Sequence, residues 1–159
     1  MIVNASCPIS GDQRDNNAVR VVAGFTLLLA LAAITIALTV GPGWAAGLSG
    51  LLALDFIIRA FLRPRFSPLA TAARVLVNAL KWEKQPVDAA PKVFAARIGV
   101  VFTATATVLF ALGLTVPGVA VSGLLVVFAL LESALSFCAG CWLYSLLPRS
   151  VGNILAHQF

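Results

Sequence analysis

The sequence predicts an all-α, polytopic membrane protein with four transmembrane helices in two hairpins and an amphipathic interfacial helix between them. Three observations predict it. The chain of 159 residues is 60% hydrophobic and only 11% charged, with a mean hydropathy of +1.00, outside the balance of a soluble domain. Its apolar residues gather into four stretches, each able with its flanks to supply the roughly 20 residues that cross about 30 Å of hydrocarbon. Eight of the eleven basic residues fall between Arg59 and Arg97, opposed there only by Glu83 and Asp88, the charge bias that orients membrane proteins.

The whole of 1–159 reads as a single integral membrane domain. Residues 1–18 form a polar tail in which Cys7-Pro8 and Gly11 oppose a continuous helix, and Asp15 or Asn16 can cap the helix that follows. The first spanning helix is expected over 19–41. It is too long for a signal h-region and runs into Gly41-Pro42-Gly43 rather than a cleavage site. That uncharged turn leads into a second helix over 43–62, bounded by the GPGW start and Arg59. A third helix over 94–116 and a fourth over 118–147 are joined at Pro117-Gly118. Short turns make each pair antiparallel neighbours.

Between the pairs, Ser67 followed by Pro68 is a helix start, serine as cap and proline at the first helical position. The helix expected over 67–82 sets Leu69, Ala73, Leu76 and Leu80 on one side and Thr71, Arg74, Asn78 and Lys81 on another. Such a basic amphipathic helix either lies on the leaflet with Trp82 at headgroup depth or packs across the mouth of the bundle. The positive-inside rule places the middle loop and both termini in the cytoplasm.

The strongest chemical constellation is the C-x-x-C pair Cys138 and Cys141, expected in the last turns of the fourth helix with Trp142 and Tyr144 in the interfacial belt. Two thiols three residues apart share a helix face and can form a disulfide, hold a soft metal or pass sulfur. A cytoplasmic position makes a permanent structural disulfide unexpected. A helix C-terminus also disfavours the thiolate, so small-residue packing is the competing reading. Cys7 lies on the same side in this topology and can resolve or relay a disulfide or persulfide. With His157 the three thiols would make a Cys₃His set, though its long spacings argue weakly for metal.

Asp55 and Arg59, four residues apart, read most simply as a charge pair at the end of the second helix. The functional alternative is a polar patch that binds an anion or orients the thiols. Glu132 is the deeper acid. It requires a partner, with Arg59 and Arg97 as candidates, or protonation. Arg97 reads as a snorkelling side chain rather than a catalytic one. Small residues in ATIALTVGPGWAAGLSG and FTATATVLFALG favour close helix approach and a homodimer as a candidate assembly. No nucleotide loop, H-E-x-x-H site, activated serine or nucleic-acid-binding aromatic pattern is present, so the basic charge is read as topology and nucleic acid is not an expected partner.

Several motifs in order, Cys7-Pro8, Asn16 or Asn17 with Arg20, Asp55-Phe56 with Arg59, Ser67-Pro68-Leu69, Pro91-Lys92 with Phe94-Ala95 and Gly99, and Cys138-x-Gly140-Cys141-Trp142-x-Tyr144, resemble the small bacterial membrane family called domain of unknown function 4395. The resemblance covers most of the chain. It implies a four-helix protein of the bacterial inner membrane and carries no activity or cofactor with it. A looser likeness is to small four-helix membrane oxidoreductases that use cysteine pairs and quinones, whose reactive pair faces the oxidising side, unlike the cytosolic side expected here.

The expected function is that of a cytoplasm-facing thiol, disulfide or sulfur-handling protein. Cys138, Cys141 and Cys7 carry the chemistry, Glu132, Asp55 and Arg59 tune it, and a soluble thiol or sulfur-transfer protein is the partner beside the lipid bilayer. A small-ion or small-anion transporter, favoured by a cavity joining Glu132 and Asp55, is one alternative. A non-catalytic membrane scaffold or metal-binding protein is the other.

Overall fold

The computed structural model describes residues 13–62, 66–83, 85–88 and 90–136. In chain order these form β1 (Gln13–Asp15), α1 (Asn16–Thr39), α2 (Pro42–Phe61), α3 (Pro68–Ala79), β2 (Pro86–Asp88), α4 (Ala90–Ala111) and α5 (Thr115–Leu135). Four of them, α1, α2, α4 and α5, include stretches of 20 or more residues that are long and apolar enough to cross a membrane. The described residues are all-α apart from β1 and β2. These pair antiparallel with Arg14 opposite Val87, a ribbon that three-residue strands containing Pro86 do not announce in the sequence.

Local chemistry fixes the helix ends. Asp15 Oδ1 accepts the Asn17 N–H at 3.0 Å and so caps α1. α2 opens on Pro42 at its first position after Gly41, whose φ of 142° lies where glycine is favoured. Ser67 caps α3 by accepting the Ala70 N–H at 3.1 Å. α5 stops at Leu135 because Ser136 adopts a left-handed conformation with φ 54°. The continuous helix expected to 147 is therefore interrupted at Ser136, and the rest of that stretch lies outside the described residues.

The spanning helices pack in a ring: α1 touches α2 and α5, and α4 touches α2 and α5, with the most extensive contacts between α2 and α4 and between α1 and α5. The side chains inside the ring are small. α1 buries Ala18, Ala23, Thr26, Ala30, Ala33 and Ala37 while exposing Leu28, Leu31 and Leu38; α2 buries Ala45, Ser49 and Ala53 while exposing Leu51 and Leu54. In water this distribution would leave large apolar surface uncovered. In lipid it is the expected one, since apolar tails solvate leucine and small residues let backbones approach.

Two phenylalanine rings fill the junctions, and Leu52 and Leu125 are buried as well. Phe56 meets Ala30 and Leu125 with Ala96 and Val100 around it, so α1, α2, α4 and α5 converge there. Phe110 packs with Ala37, Ala45 and Ala106 towards the other end. Each ring lies where only glycine fits: a Cβ on Gly99 would fall 2.3 Å from Phe56, and one on Gly118 would fall 2.6 Å from Phe110. Phe102 and Phe128 add an edge-to-face contact between α4 and α5 at 5.7 Å.

The amphipathic helix α3 is three-sided. Ala70, Ala73 and Val77 are buried, the first two against Val22 of α1. Val75, Leu76 and Leu80 remain exposed, as do the polar Thr71, Arg74 and Asn78. The apolar side expected from the sequence is thus divided: Ala73 faces the bundle, whereas Leu76 and Leu80 do not.

Candidate functional site

Among the described residues, the charged side chains collect at one end of the bundle, where α1 and α4 begin and α2 and α5 finish. Asp55, only 4% exposed on the last turns of α2, is the most buried acid among the described residues. Its Oδ2 pairs with Arg59 at 2.5 Å. Its Oδ1 accepts the Ser67 hydroxyl at 2.6 Å and the Leu69 N–H at 3.4 Å. Ser67 is fully buried and does two jobs with one oxygen, capping α3 and donating to Asp55. The i,i+4 spacing on α2 creates the ion pair, and the return of the chain at Ser67 closes it from above. The Arg59 guanidinium also lies over the Phe56 ring, 4.2 Å from its centroid. Gly99 of α4 leaves room for that ring, so the charge pair is coupled to the α2–α4 contact.

A second set of bonds ties the remaining elements together. Arg20 of α1 donates through Nε to the Ser133 carbonyl at 3.1 Å and through a terminal nitrogen to the Ala134 carbonyl at 3.4 Å. A cation on the last carbonyls of a helix satisfies acceptors that have no intrahelical donor and complements the helix dipole. Lys92 of α4 donates to Asn16 Oδ1 at 3.1 Å, and Asn17 Nδ2 donates to the Glu83 carbonyl at 2.7 Å. Asp15 Oδ1 also accepts the Gln85 N–H at 3.3 Å, while the Asn16 N–H reaches the Gln85 carbonyl at 2.8 Å.

Of the residues singled out in the sequence, Asp55 and Arg59 are together, and their pairing is the simpler of the two readings given above. Glu132 is half-buried on α5, one turn before Ser136, and engaged by neighbouring groups. Arg97 lies 5.6 Å from the centroid of Phe61 across the α2–α4 contact. Cys7, Cys138, Cys141 and His157 lie outside the described residues. Among the described residues no group of three or more His, Cys, Asp or Glu side chains is placed to hold a metal ion.

Sequence reasoning missed the partnership of Ser67 with Asp55 and the role of Arg20 at the end of α5. Ser67 carried a cap signal that accounted for it fully. Arg20 sat beside its own helix start, with nothing to indicate carbonyls more than a hundred residues away. Asn16, Arg20, Asp55, Phe56, Arg59, Ser67, Lys92 and Gly99, all of them motif residues behind the family resemblance, are the ones that build this end of the bundle.

No curated protein and no solved structure shows significant similarity to the chain. The sequence model of one family, domain of unknown function DUF4395, matches residues 15–149, most of the chain. The protein is a multi-pass membrane protein and belongs to the DUF4395 family.

Proposed function

We propose that the protein is a bacterial inner-membrane thiol or sulfur-handling protein, arranged as two helical hairpins, with its polar end and both termini in the cytoplasm. Cys138 and Cys141 form the reactive pair in this reading and Cys7 is the relay. The observation that carries it is the pair of bonds from Arg20 to the last carbonyls of α5. These hold the end of α5 at the polar end of the bundle, and Cys138 follows two residues after the left-handed Ser136.

The chemistry needs no group beyond a thiol-reactive partner. One thiolate of the pair attacks a sulfur of the partner's disulfide, breaking that S–S bond and releasing the partner's other sulfur as a thiolate. The second cysteine then attacks the mixed disulfide, forming the Cys138–Cys141 disulfide and freeing the partner's remaining thiolate. Two electrons pass to the partner. A persulfide donor is handled the same way, with its terminal sulfur passing to the attacking cysteine and its thiolate leaving.

The test is reaction of the purified full chain with oxidised glutathione, read by intact and peptide mass. The wild type should lose two hydrogens and link Cys138 to Cys141, whereas Cys141→Ser or Cys138→Ser, each combined with Cys7→Ser to remove the relay, should stop at a glutathionyl adduct. Thiols that give neither product in the folded protein would overturn the proposal.

One observation favours a membrane scaffold as the second reading. Asp55, Arg59 and Ser67 satisfy one another in fastening α3 to the bundle. If this is the whole purpose of the polar end, cysteine-to-serine variants will be fully competent in the cell.

A further inference from the structure

An open cleft of about 400 Å³ at the polar end is lined by Asn17, Arg20, Lys81, Trp82, Glu83 and Gln85. It lies between the start of α1 and the segment that follows α3. Its lining offers two cations, one carboxylate, two amides and an indole. Among the described residues, no carboxylate forms an ion pair with Arg20 or Lys81. The two carbonyl bonds of Arg20 orient its guanidinium without cancelling its charge. The floor is fixed by backbone: Asn17 holds the Glu83 carbonyl, and Asp15 and Asn16 hold Gln85.

Lys81 occupies an unusual position. α3 closes with the Trp82 N–H on the Val77 carbonyl and the Lys81 N–H on the Asn78 carbonyl, both at 3.2 Å, and Lys81 itself takes φ 51°. Helices that end this way usually place glycine here, because a side chain is strained in the left-handed region. Folding alone would favour glycine, yet the chain places a lysine on the cleft. Trp82 is half exposed, and the helix leading to it exposes Val75, Leu76 and Leu80. At the ends of four membrane-length helices, this combination belongs at the level of lipid headgroups.

We infer that the cleft binds the headgroup of a phospholipid bearing a primary ammonium group, with its phosphate between Arg20 and Lys81 and its ammonium at Glu83. Trp82 packs against the glycerol region. The charges select this class over its neighbours. A glycerol headgroup satisfies the cations but offers the Glu83 carboxylate only neutral hydroxyl donors and no counter-charge, and a quaternary ammonium has no N–H to donate to it.

The proposal is tested by titrating the full chain in detergent micelles with phosphatidylethanolamine, phosphatidylglycerol or phosphatidylcholine and counting bound lipid by native mass spectrometry. Phosphatidylethanolamine should bind about tenfold more tightly than the other two, the scale of one charge-assisted hydrogen bond. Glu83→Gln should remove that preference. Lys81→Gly should weaken binding of phosphatidylethanolamine while leaving Tm at or above the wild-type value, since glycine suits the backbone there. Glu83→Gln, an isosteric change at an exposed position, keeps the test decisive if Lys81→Gly misfolds. Equal binding of the three lipids, or wild-type binding by these variants, would overturn the inference. Displacement of the lipid by an equal concentration of free phosphoethanolamine would make the occupant a soluble phosphate ester and overturn the assignment to lipid.

Discussion

Replacing Ser67 by alanine removes one oxygen and two interactions at once. The hydroxyl caps α3 through Ala70 N–H and donates to Asp55 from a site with no solvent exposure. Loss of the cap costs about 1 kcal/mol. A hydrogen bond to a charged acceptor adds about 1.5–3 kcal/mol. Asp55 keeps Arg59 and the longer bond from Leu69, so the lower part of that range applies and the total is about 2–3 kcal/mol. For a chain of this length that is a fall in Tm of about 5–10 °C. Asp55→Asn leaves an acceptor for Ser67 but strips the counter-charge from a largely buried Arg59, which should cost about 3–5 kcal/mol. The assay is reversible unfolding in mixed micelles, followed by circular dichroism, for both single variants and the double variant. Because the two residues share a bond, the double variant should be less destabilised than the sum of the singles by more than about 0.5 kcal/mol. A Tm shift below about 2 °C for Ser67→Ala, or additivity of the two changes, would refute the claim that Ser67 holds Asp55 and locks α3.

Gly99→Ala should destabilise by about 1–3 kcal/mol, since its Cβ would overlap the Phe56 ring; Gly47→Ala, with nothing within 4 Å of the new methyl, should be neutral or stabilising by up to about 1 kcal/mol in the same unfolding assay. Arg20→Met should leave α2 unaffected and speed amide hydrogen exchange in the last turn of α5, because the carbonyls of Ser133 and Ala134 lose their donor. Cysteines introduced singly into a cysteine-free chain at exposed Asn78 and Leu112 should react with an impermeant maleimide from opposite sides of the membrane, Asn78→Cys in inverted vesicles and Leu112→Cys in intact spheroplasts. Labelling of both from one side would remove the proposed topology.

The spanning helices were legible because each is a long apolar run with a turn or charge at its edge, signals that act within a few residues. α2 illustrates this: the GPGW start and Arg59 were its expected edges, and in the structure it opens on Pro42 and carries the Asp55–Arg59 pair near its end at Phe61. The packing inside the bundle was less legible. Hydropathy treats Ala30 and Leu31 as alike, yet one is buried and the other faces outward, and only the need for close backbone approach separates them. The division of α3 has the same origin, because Leu76 and Leu80 share its apolar side with Ala73, while the bundle accepts only the small residues and Val77. At the polar end, the i,i+4 pair was visible and the long-range bonds of Ser67, Arg20 and Lys92 were not. A donor and an acceptor separated by 113 positions, as in Arg20 and Ser133, leave no periodic trace. β1 and β2 were missed for a similar reason, being three residues each and separated in the chain by α1, α2 and α3.

Cys138 and Cys141 are proposed to carry thiol or sulfur chemistry at the cytoplasmic end of the bundle. The measurement that bears on it most directly is the intact mass of the chain isolated from membranes with thiols trapped at lysis, with alkylated, disulfide-linked and persulfidated cysteines assigned by peptide. A fraction of the molecules should carry a Cys138–Cys141 disulfide or a persulfide on one of the two. Cysteines that are uniformly reduced in the cell, and that resist both oxidant and alkylating agent in the folded protein, would contradict it.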